Sequence, residues 1–182
     1  MVLGLTRIEG PNLVLRLIRP EDAEYVHGLR TDPAYNRHLS EVLGTADDQR
    51  RWIEAYKTRE AGGHEFYYVI KRRDGTRCGV VRLYDIEGDH FTWGSWILDH
   101  NKPPKAALES AMLVYDLGFG CLDLRRAIFD VRRDNERTLA FHRRFGAEQT
   151  HADDEDVFFS YSRETFLRDR ENHLAGLNWV NA

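Results

Sequence analysis

The chain has 182 residues, of which 42% are hydrophobic and 31% charged, with a formal net charge of −4. This length suits one domain with a sizeable core, and the acidic balance argues against a general nucleic-acid binder. The two isolated cysteines form neither a disulfide framework nor a metal pattern, and the sequence contains neither a membrane-spanning apolar run nor a signal peptide, so we expect a cytoplasmic protein without a metal.

The first third of the chain predicts one strand and two helices. Residues 12–18 are apolar and β-branched enough for a strand, and the proline and acidic residues that follow favour a helix over about residues 20–30. After a loop, Thr45 and Asp48 have the spacing of a capping box. They begin a helix that ends at Gly62, because glycine is the usual residue just past a helix end.

Three strand-like runs come next. Asp74–Gly75 and Gly88–Asp89 separate them and are strong signals for tight hairpin turns. We therefore predict an antiparallel meander of three strands. The runs span residues 65–73, 76–86 and 90–98.

The second half of the chain alternates helices and strands. The predicted elements are a helix over 103–120, a strand over 125–134, a helix over 135–146, a strand over 156–166 and a short helix around 164–174. The order predicts an α/β (α+β) fold with a mixed, mostly antiparallel sheet of six to seven strands and helices on both faces. We expect one domain over 1–182, with a core of about 12–163 and a tail of 164–182.

A turn without glycine connects the third strand of the meander to the apolar helix at 103–120. Residues 101–105 read Asn-Lys-Pro-Pro-Lys. A helix N-terminus offers unpaired N–H groups and a positive dipole end, so this turn is a candidate phosphate site. Pro103 or Pro104 would occupy the first helical turn. An ordinary strand–helix connection is the alternative.

The order of elements resembles the GNAT superfamily of N-acetyltransferases over about residues 12–163. In that family the central strand is followed by an Arg/Gln-x-x-Gly-x-Gly/Ala turn that wraps the pyrophosphate of acetyl-CoA. Here Lys102 stands at the first position of the motif, and Lys105 and Ala107 stand at its two glycine positions.

A second motif supports the resemblance. In the family an asparagine begins a later helix, which ends in a phrase like Leu-Tyr-x-x-x-Gly-Phe. Asn135 matches the asparagine, residues 141–142 are Phe-His in place of Leu-Tyr, and residues 146–147 are Gly-Ala.

The resemblance implies acetyl-CoA as acyl donor, with its pantetheine arm hydrogen-bonded to the strand that contains Gly94. A backbone N–H of this strand would stabilise the oxyanion. The implied cofactor-binding residues are Trp96, Ile97, Leu98, Lys102, Pro104, Lys105, Ala106, Ala107, Leu108, Asn135, Thr138 and Phe141.

Two side chains are candidates for proton transfer. The resemblance places His142 where a tyrosine often protonates the sulfur of coenzyme A, and an imidazole can perform the same step near neutral pH; a core histidine is the alternative. Asp85, at the end of a predicted strand, is a candidate base for the amine, acting directly or through water. A solvated turn carboxylate is the alternative for Asp85.

The acceptor amine is expected to bind opposite the phosphate turn. Arg37 and His38, in the loop after the first helix, and Tyr84 and Trp93, on the meander, are the predicted substrate-binding residues. Strand alternation places Trp93 and Trp96 on opposite faces of the sheet. The two tryptophans suit either the walls of a ring-shaped acceptor site or simple sheet packing.

The leading prediction is therefore an N-acetyltransferase that transfers acetyl from acetyl-CoA directly to a primary amine in a ternary complex. The acceptor is either an amino-sugar nucleotide, slightly favoured, or the N-terminus of a ribosomal protein. A non-catalytic acyl-CoA-binding module is a second class of function, and an RNA-associated protein is disfavoured by acidity. A homodimer is compatible with the sequence.

Overall fold

The computed structural model describes residues 3–177. Its strands are β1 Leu3–Gly4, β2 Arg7–Glu9, β3 Leu13–Leu17, β4 Phe66–Arg72, β5 Arg77–Glu87, β6 His90–Leu98, β7 Arg126–Arg132, β8 Glu148–Ala152 and β9 Asp156–Ser162. Its α-helices are α1 Ala23–Thr31, α2 Pro33–Asn36, α3 Ala46–Ala61, α4 Ala106–Tyr115, α5 Glu136–Phe145 and α6 Arg163–Gly176. A 3-10 turn, Pro20–Asp22, precedes α1, and a π-helix, Asp116–Cys121, follows α4.

The nine strands form one sheet in the order β1-β2-β3-β4-β5-β6-β7-β9-β8. All neighbouring strands are antiparallel except β6 and β7, which are parallel. Helices cover both faces, and each face has its own core. One core joins the sheet to α4, α5 and α6, and the other joins it to α1 and α3. The predicted mixed, mostly antiparallel α/β fold is confirmed.

The sheet has more strands than the sequence predicted. β1 and β2 are only two and three residues long. All five residues of β8 are exposed and carry no apolar alternation, so the hydrophobic pattern contains no signal for it. The predicted short helix around 164–174 is α6, and of the predicted tail residues 178–182 lie outside the described part.

Three predicted boundaries and one predicted loop differ from the structure for local reasons. The helix predicted from residue 103 begins at Ala106, so both prolines lie in the preceding turn, and its α-helical part ends at Tyr115. The last strand ends at Ser162, whose hydroxyl accepts a hydrogen bond from the backbone N–H of Thr165 and so begins α6. The loop after α1 contains the four-residue helix α2.

The predicted caps are confirmed. Thr45 and Asp48 form the reciprocal hydrogen bonds of a capping box at the start of α3. The Asn135 side chain accepts from the backbone N–H of Thr138 at the start of α5. α5 ends at Gly146, whose φ of 105° is in the left-handed region that glycine adopts readily.

β6 and β7 separate soon after they meet. Only His90 with Arg126 and Phe91 with Ala127 are paired, so the rest of β6 leaves its β7-facing backbone groups without a strand partner in the described sheet. β6 also has a bulge in its pairing with β5: Val80 pairs with Ile97 and Arg82 with Gly94, so β6 has one more residue than β5 between these pairs. Ser95, within the bulge, has a φ of 47°. The two strands therefore enclose a wedge.

A buried carboxylate fastens α4 to the start of β3. Glu109 is 1% exposed. Its Oε1 accepts from the backbone N–H groups of Asn12 and Leu13, each at 2.7 Å, and its Oε2 accepts from Asn12 Nδ2 at 3.0 Å. A Cβ at Gly10 would lie 2.5 Å from Oε1, so only glycine fits beside this carboxylate. The contact fixes the helix that begins at the candidate phosphate turn.

No helix within residues 3–177 has the length and apolarity that a membrane crossing requires.

Candidate active site

The wedge between β6 and β7 contains a cavity of about 290 Å³, which we call the wedge cavity. Gly94 and Ser95 of the β6 bulge form one wall, and Phe129 and Asp130 of β7 form the other. His142 of α5 also lines it. The cavity therefore lies where the sheet has lost its strand pairing and backbone groups of β6 are free to meet a ligand.

A second cavity of about 320 Å³, the basic cavity, lies between the end of β6, the turn before α4, and α5. Three cations line it: Lys102, Arg137 and Arg144. Trp96 and Thr138 line both cavities, so the two are neighbours that share a wall. The lining residues of the basic cavity include no carboxylate, which makes it suited to a polyanion.

The turn between β6 and α4 is held by side-chain hydrogen bonds. The buried Asp99 carboxylate accepts from the Tyr25 hydroxyl and from the backbone N–H of Asn101, each at 2.7 Å. Lys105, at the N-cap of α4, has a φ of 62°. This left-handed conformation normally favours glycine, so the turn adopts a glycine-type conformation although the residue is lysine.

The β6 bulge brings the two tryptophans to one side. The ring centroids of Trp93 and Trp96 are 5.2 Å apart, and Trp96 Nε1 donates to Ser110 Oγ of α4 at 3.1 Å. The predicted opposite placement was wrong, because the extra residue at Ser95 breaks the two-residue alternation. Trp93 is 4% exposed and lines the wedge cavity from within the core.

Comparison with known proteins identifies the family. The profile of the acetyltransferase (GNAT) domain matches residues 12–148. The chain belongs to the GNAT acetyltransferases. It is therefore an acetyl-CoA-dependent acetyltransferase, with a fold that binds acetyl-CoA or coenzyme A.

Two solved structures and one curated protein illustrate the similarity. The structure described as apo FdhC, a nucleotide-linked sugar GNAT, is 35% identical with a TM-score of 0.85, over 92% of this chain and 96% of that one. Spermidine N-acetyltransferase from Vibrio cholerae, in complex with CoA and spermine, is 17% identical with a TM-score of 0.74, over 87% and 99%. The uncharacterized SPbeta prophage-derived N-acetyltransferase YokL of Bacillus subtilis (strain 168) is 22% identical over 146 residues, 79% of this chain and 80% of that protein.

The residues of this GNAT acetyltransferase that line the basic cavity fit an acyl-CoA. Of the cofactor-binding residues predicted from sequence, Trp96, Leu98, Lys102, Ala107, Thr138 and Phe141 line it. The predicted cofactor-binding residues did not include Arg137 and Arg144, because the arginine-rich stretch from 125 to 144 is a local basic excess that fits either a phosphate site or an ordinary charged helix face.

The remaining predicted cofactor residues lie elsewhere. Asn135 lines the wedge cavity. The Ile97 side chain is buried in the core beneath α1 and α3, so it can contribute only its backbone. Four residues of the turn and the first turn of α4 line neither cavity with their side chains: Pro104, Lys105, Ala106 and Leu108.

His142 lies in a cage of aromatic rings. Its ring centroid is 4.5 Å from that of Phe129 and 5.4 Å from that of Trp93, and its Nδ1 is buried without a hydrogen-bond partner among the described residues. Burial lowers the pKa of His142 to about 3. A ring with this pKa is neutral near pH 7, so it has almost no imidazolium to act as the predicted general acid.

The buried histidine predicts how stability depends on pH. The folded protein holds the pKa of His142 near 3, whereas the unfolded chain binds a proton below about 6.5. The stability that the neutral, buried His142 contributes is therefore fully present above pH 6.5 and is lost as the pH falls towards 3. Between pH 7 and pH 5 the wild type should lose about 2 kcal/mol more free energy of unfolding than His142→Leu. Urea unfolding at the two pH values measures this, and equal losses would contradict it.

The loop after α1 covers one side of the wedge cavity. His38 Nδ1 lies 3.0 Å from Asp134 Oδ1, which joins this loop to the turn between β7 and α5. Arg30 lines the cavity, donates to Ser40 Oγ at 2.9 Å, and has a buried Nε without a partner among the described residues. The predicted Arg37 is exposed and outside the cavity lining, whereas Arg30, near the end of α1, lines the cavity and was not predicted.

The carboxylates of the wedge cavity come from β7 and β9. Asp130 and Asp156 line it, whereas Asp85, the predicted base, is exposed and outside the lining of both cavities. Asp85 lies in a β5 bulge with a φ of 47°, which displaces it from the regular strand path. Tyr84, also predicted from sequence, does line the wedge cavity.

Proposed function

We propose that this protein transfers the acetyl group of acetyl-CoA to the amine of a nucleotide-linked amino sugar. The observation that carries the proposal is the mixture of charges in the wedge cavity. Arg30 offers a guanidinium to phosphate oxygens, while Asp130 offers a carboxylate to an amine. An acceptor with both an amine and phosphates matches this pair.

The similarity to FdhC supports the same acceptor class, since that protein is described as a nucleotide-linked sugar GNAT and shares 35% of its residues with this chain. The wedge cavity also contains Tyr84, an aromatic side chain suited to contact with a sugar or base ring. A polyamine carries no anionic group and would leave the guanidinium of Arg30 without a partner, whereas a sugar nucleotide supplies one.

The two cavities give the two substrates separate entrances. The pyrophosphate of acetyl-CoA would lie against Lys102, Arg137 and Arg144 near the N-terminus of α4, where the helix dipole adds positive potential. The pantetheine arm would follow the unpaired edge of β6 to the bulge at Ser95. The acceptor would then approach from the α1 side and meet the thioester in the wedge cavity.

An acceptor panel tests the proposal. Thiol release from acetyl-CoA is measured with nucleotide-linked amino sugars, spermidine and a peptide with a free N-terminus, and the acetylated product is identified by mass spectrometry. Turnover with a nucleotide-linked amino sugar at least about tenfold above the other acceptors is expected. Preference for spermidine or the peptide would contradict the proposal, and binding without turnover of any acceptor would indicate a non-catalytic acyl-CoA module.

A variant of Arg30 adds a test of orientation. Arg30→Met should raise the acceptor KM by about 10- to 100-fold through loss of charge-assisted hydrogen bonds, with the acetyl-CoA KM nearly unchanged. Arg50→Met, an exposed arginine of α3, is the matched control and should change neither constant. An effect of Arg30→Met on the acetyl-CoA constant alone would show that the two entrances are assigned the wrong way round.

A further inference from the structure

We propose that the carboxylate of Asp130 is the general base that removes a proton from the acceptor amine. This assignment rests on the proposed N-acetyl transfer, but it holds for any amine acceptor that enters the wedge cavity. It replaces Asp85, which lies outside the cavity.

Asp130 faces the place where the reaction must occur. It lies on β7 beyond the last residue paired with β6, in the wall opposite the β6 bulge. Gly94 leaves the space between the strands open, and Tyr84 extends over it from β5. A Cβ at Gly94 would lie only 3.1 Å from the Tyr84 hydroxyl oxygen. An amine held between Gly94 and β7 is therefore within the reach of Asp130.

The charges around Asp130 favour proton uptake. Burial and the Asp156 carboxylate raise the pKa of Asp130, with a smaller contribution from Asp153 in the same direction. Arg132, two residues along β7, lowers the pKa of Asp130, but its guanidinium pairs with Glu155 and Asp156. Burial also raises the pKa of Tyr84, which therefore stays a neutral neighbour. A carboxylate with a raised pKa is a stronger base than an ordinary aspartate.

His142, another titratable side chain of the cavity, is less suited. His142 has a pKa of about 3, so its neutral ring binds a proton too weakly to hold the one it would remove. His142 is also 3% exposed and enclosed by rings, whereas Asp130 is an exposed residue whose carboxylate the cavity walls desolvate only in part, so it keeps a path to water. Asp130 can thus release the proton to solvent after each turnover.

The proposed step balances. The ammonium of the acceptor gives one proton to the Asp130 carboxylate and becomes a neutral amine. The amine nitrogen forms a bond to the thioester carbonyl carbon, the carbon–sulfur bond breaks, and the nitrogen loses its second proton as the sulfur leaves. The products are the N-acetylated acceptor and coenzyme A thiol, and one proton is released to water.

Asp130→Asn tests the assignment with the best acceptor of the panel. We expect kcat/KM for the acceptor to fall by about 10²- to 10³-fold at pH 7, with the acetyl-CoA KM unchanged. The loss should shrink as the pH rises through the pKa of the amine, because the amine then deprotonates without help. Asp130→Glu, which keeps the carboxylate, should recover part of the rate.

The pH profile separates a base from a structural residue. A structural role would lower the rate by the same factor at every pH, and that outcome would overturn the proposal. The proposal would also be overturned if the fall in rate at low pH, which reports protonation of the base, disappeared in Asp85→Asn and persisted in Asp130→Asn. Asp154→Asn, in the exposed turn between β8 and β9, is the charge-matched control. If no sugar nucleotide is acetylated but another amine is, the proposed acceptor is wrong and the Asp130 profile is still measured on that amine.

Discussion

Replacing Glu109 with leucine is expected to lower the free energy of unfolding by about 4 kcal/mol, the largest stability change we predict. The variant removes the carboxylate that accepts from the buried N–H groups of Asn12 and Leu13. Each buried donor left without a partner costs about 1–3 kcal/mol. Urea unfolding monitored by tryptophan fluorescence gives the change from the midpoint at constant slope.

Two further variants make this prediction specific. Glu136→Leu, an exposed first-turn residue of α5, should cost at most about 1 kcal/mol through the helix dipole. Gly10→Ala, which places a methyl group 2.5 Å from Glu109 Oε1, should be destabilising alone but less so in the Glu109→Leu background. A change below about 1 kcal/mol in Glu109→Leu would mean that water replaces the carboxylate.

The largest effect on the acyl donor is expected from reversing a charge in the basic cavity. Arg137→Glu should raise the acetyl-CoA KM by about 10²-fold, because it replaces a cation beside Lys102 and Arg144 with an anion that repels the pyrophosphate. The acceptor KM should change little. Steady-state kinetics with acetyl-CoA varied at saturating acceptor measures both constants.

Arg143→Glu is the matched control for this effect. Arg143 lies on the same helix but donates to Gln149 of β8 at 3.0 Å, away from the basic cavity. It should leave the acetyl-CoA KM within about twofold, since long-range charge effects are screened at physiological salt. Equal effects of the two reversals would show that net charge alone, and not the lining of the cavity, governs donor binding.

The sequence predicted the scaffold well because its local signals are independent of tertiary contacts. The capping box of Thr45 and Asp48, the cap at Asn135 and the glycine after α5 act within one turn of helix. The three hairpin-connected strands are set by turn residues and alternation. β8 escaped prediction because it is stabilised by pairing with β9 and not by an apolar face.

The site was predicted less well because a single bulge changes side-chain directions. The extra residue at Ser95 puts Trp96 beside Trp93, and the bulge at Asp85 displaces the carboxylate that the sequence made the base. Asp130 has no motif of its own: it becomes a site residue only because β6 and β7 part beside it. The point at which β6 and β7 separate depends on contacts between residues distant in sequence, so the hydrophobic pattern of neither strand reveals it.

The parting of β6 and β7 has a mechanical consequence. The sheet consists of a six-stranded and a three-stranded segment, whose backbones are bonded to each other at only two residue pairs. The gap between β6 and β7 is where the fewest backbone hydrogen bonds join the two segments. A ligand that hydrogen-bonds to the free edge of β6 would take the place of an additional strand. In the proposed binding mode, the pantetheine arm would supply the backbone partner that β6 lacks beyond Phe91 in the described sheet.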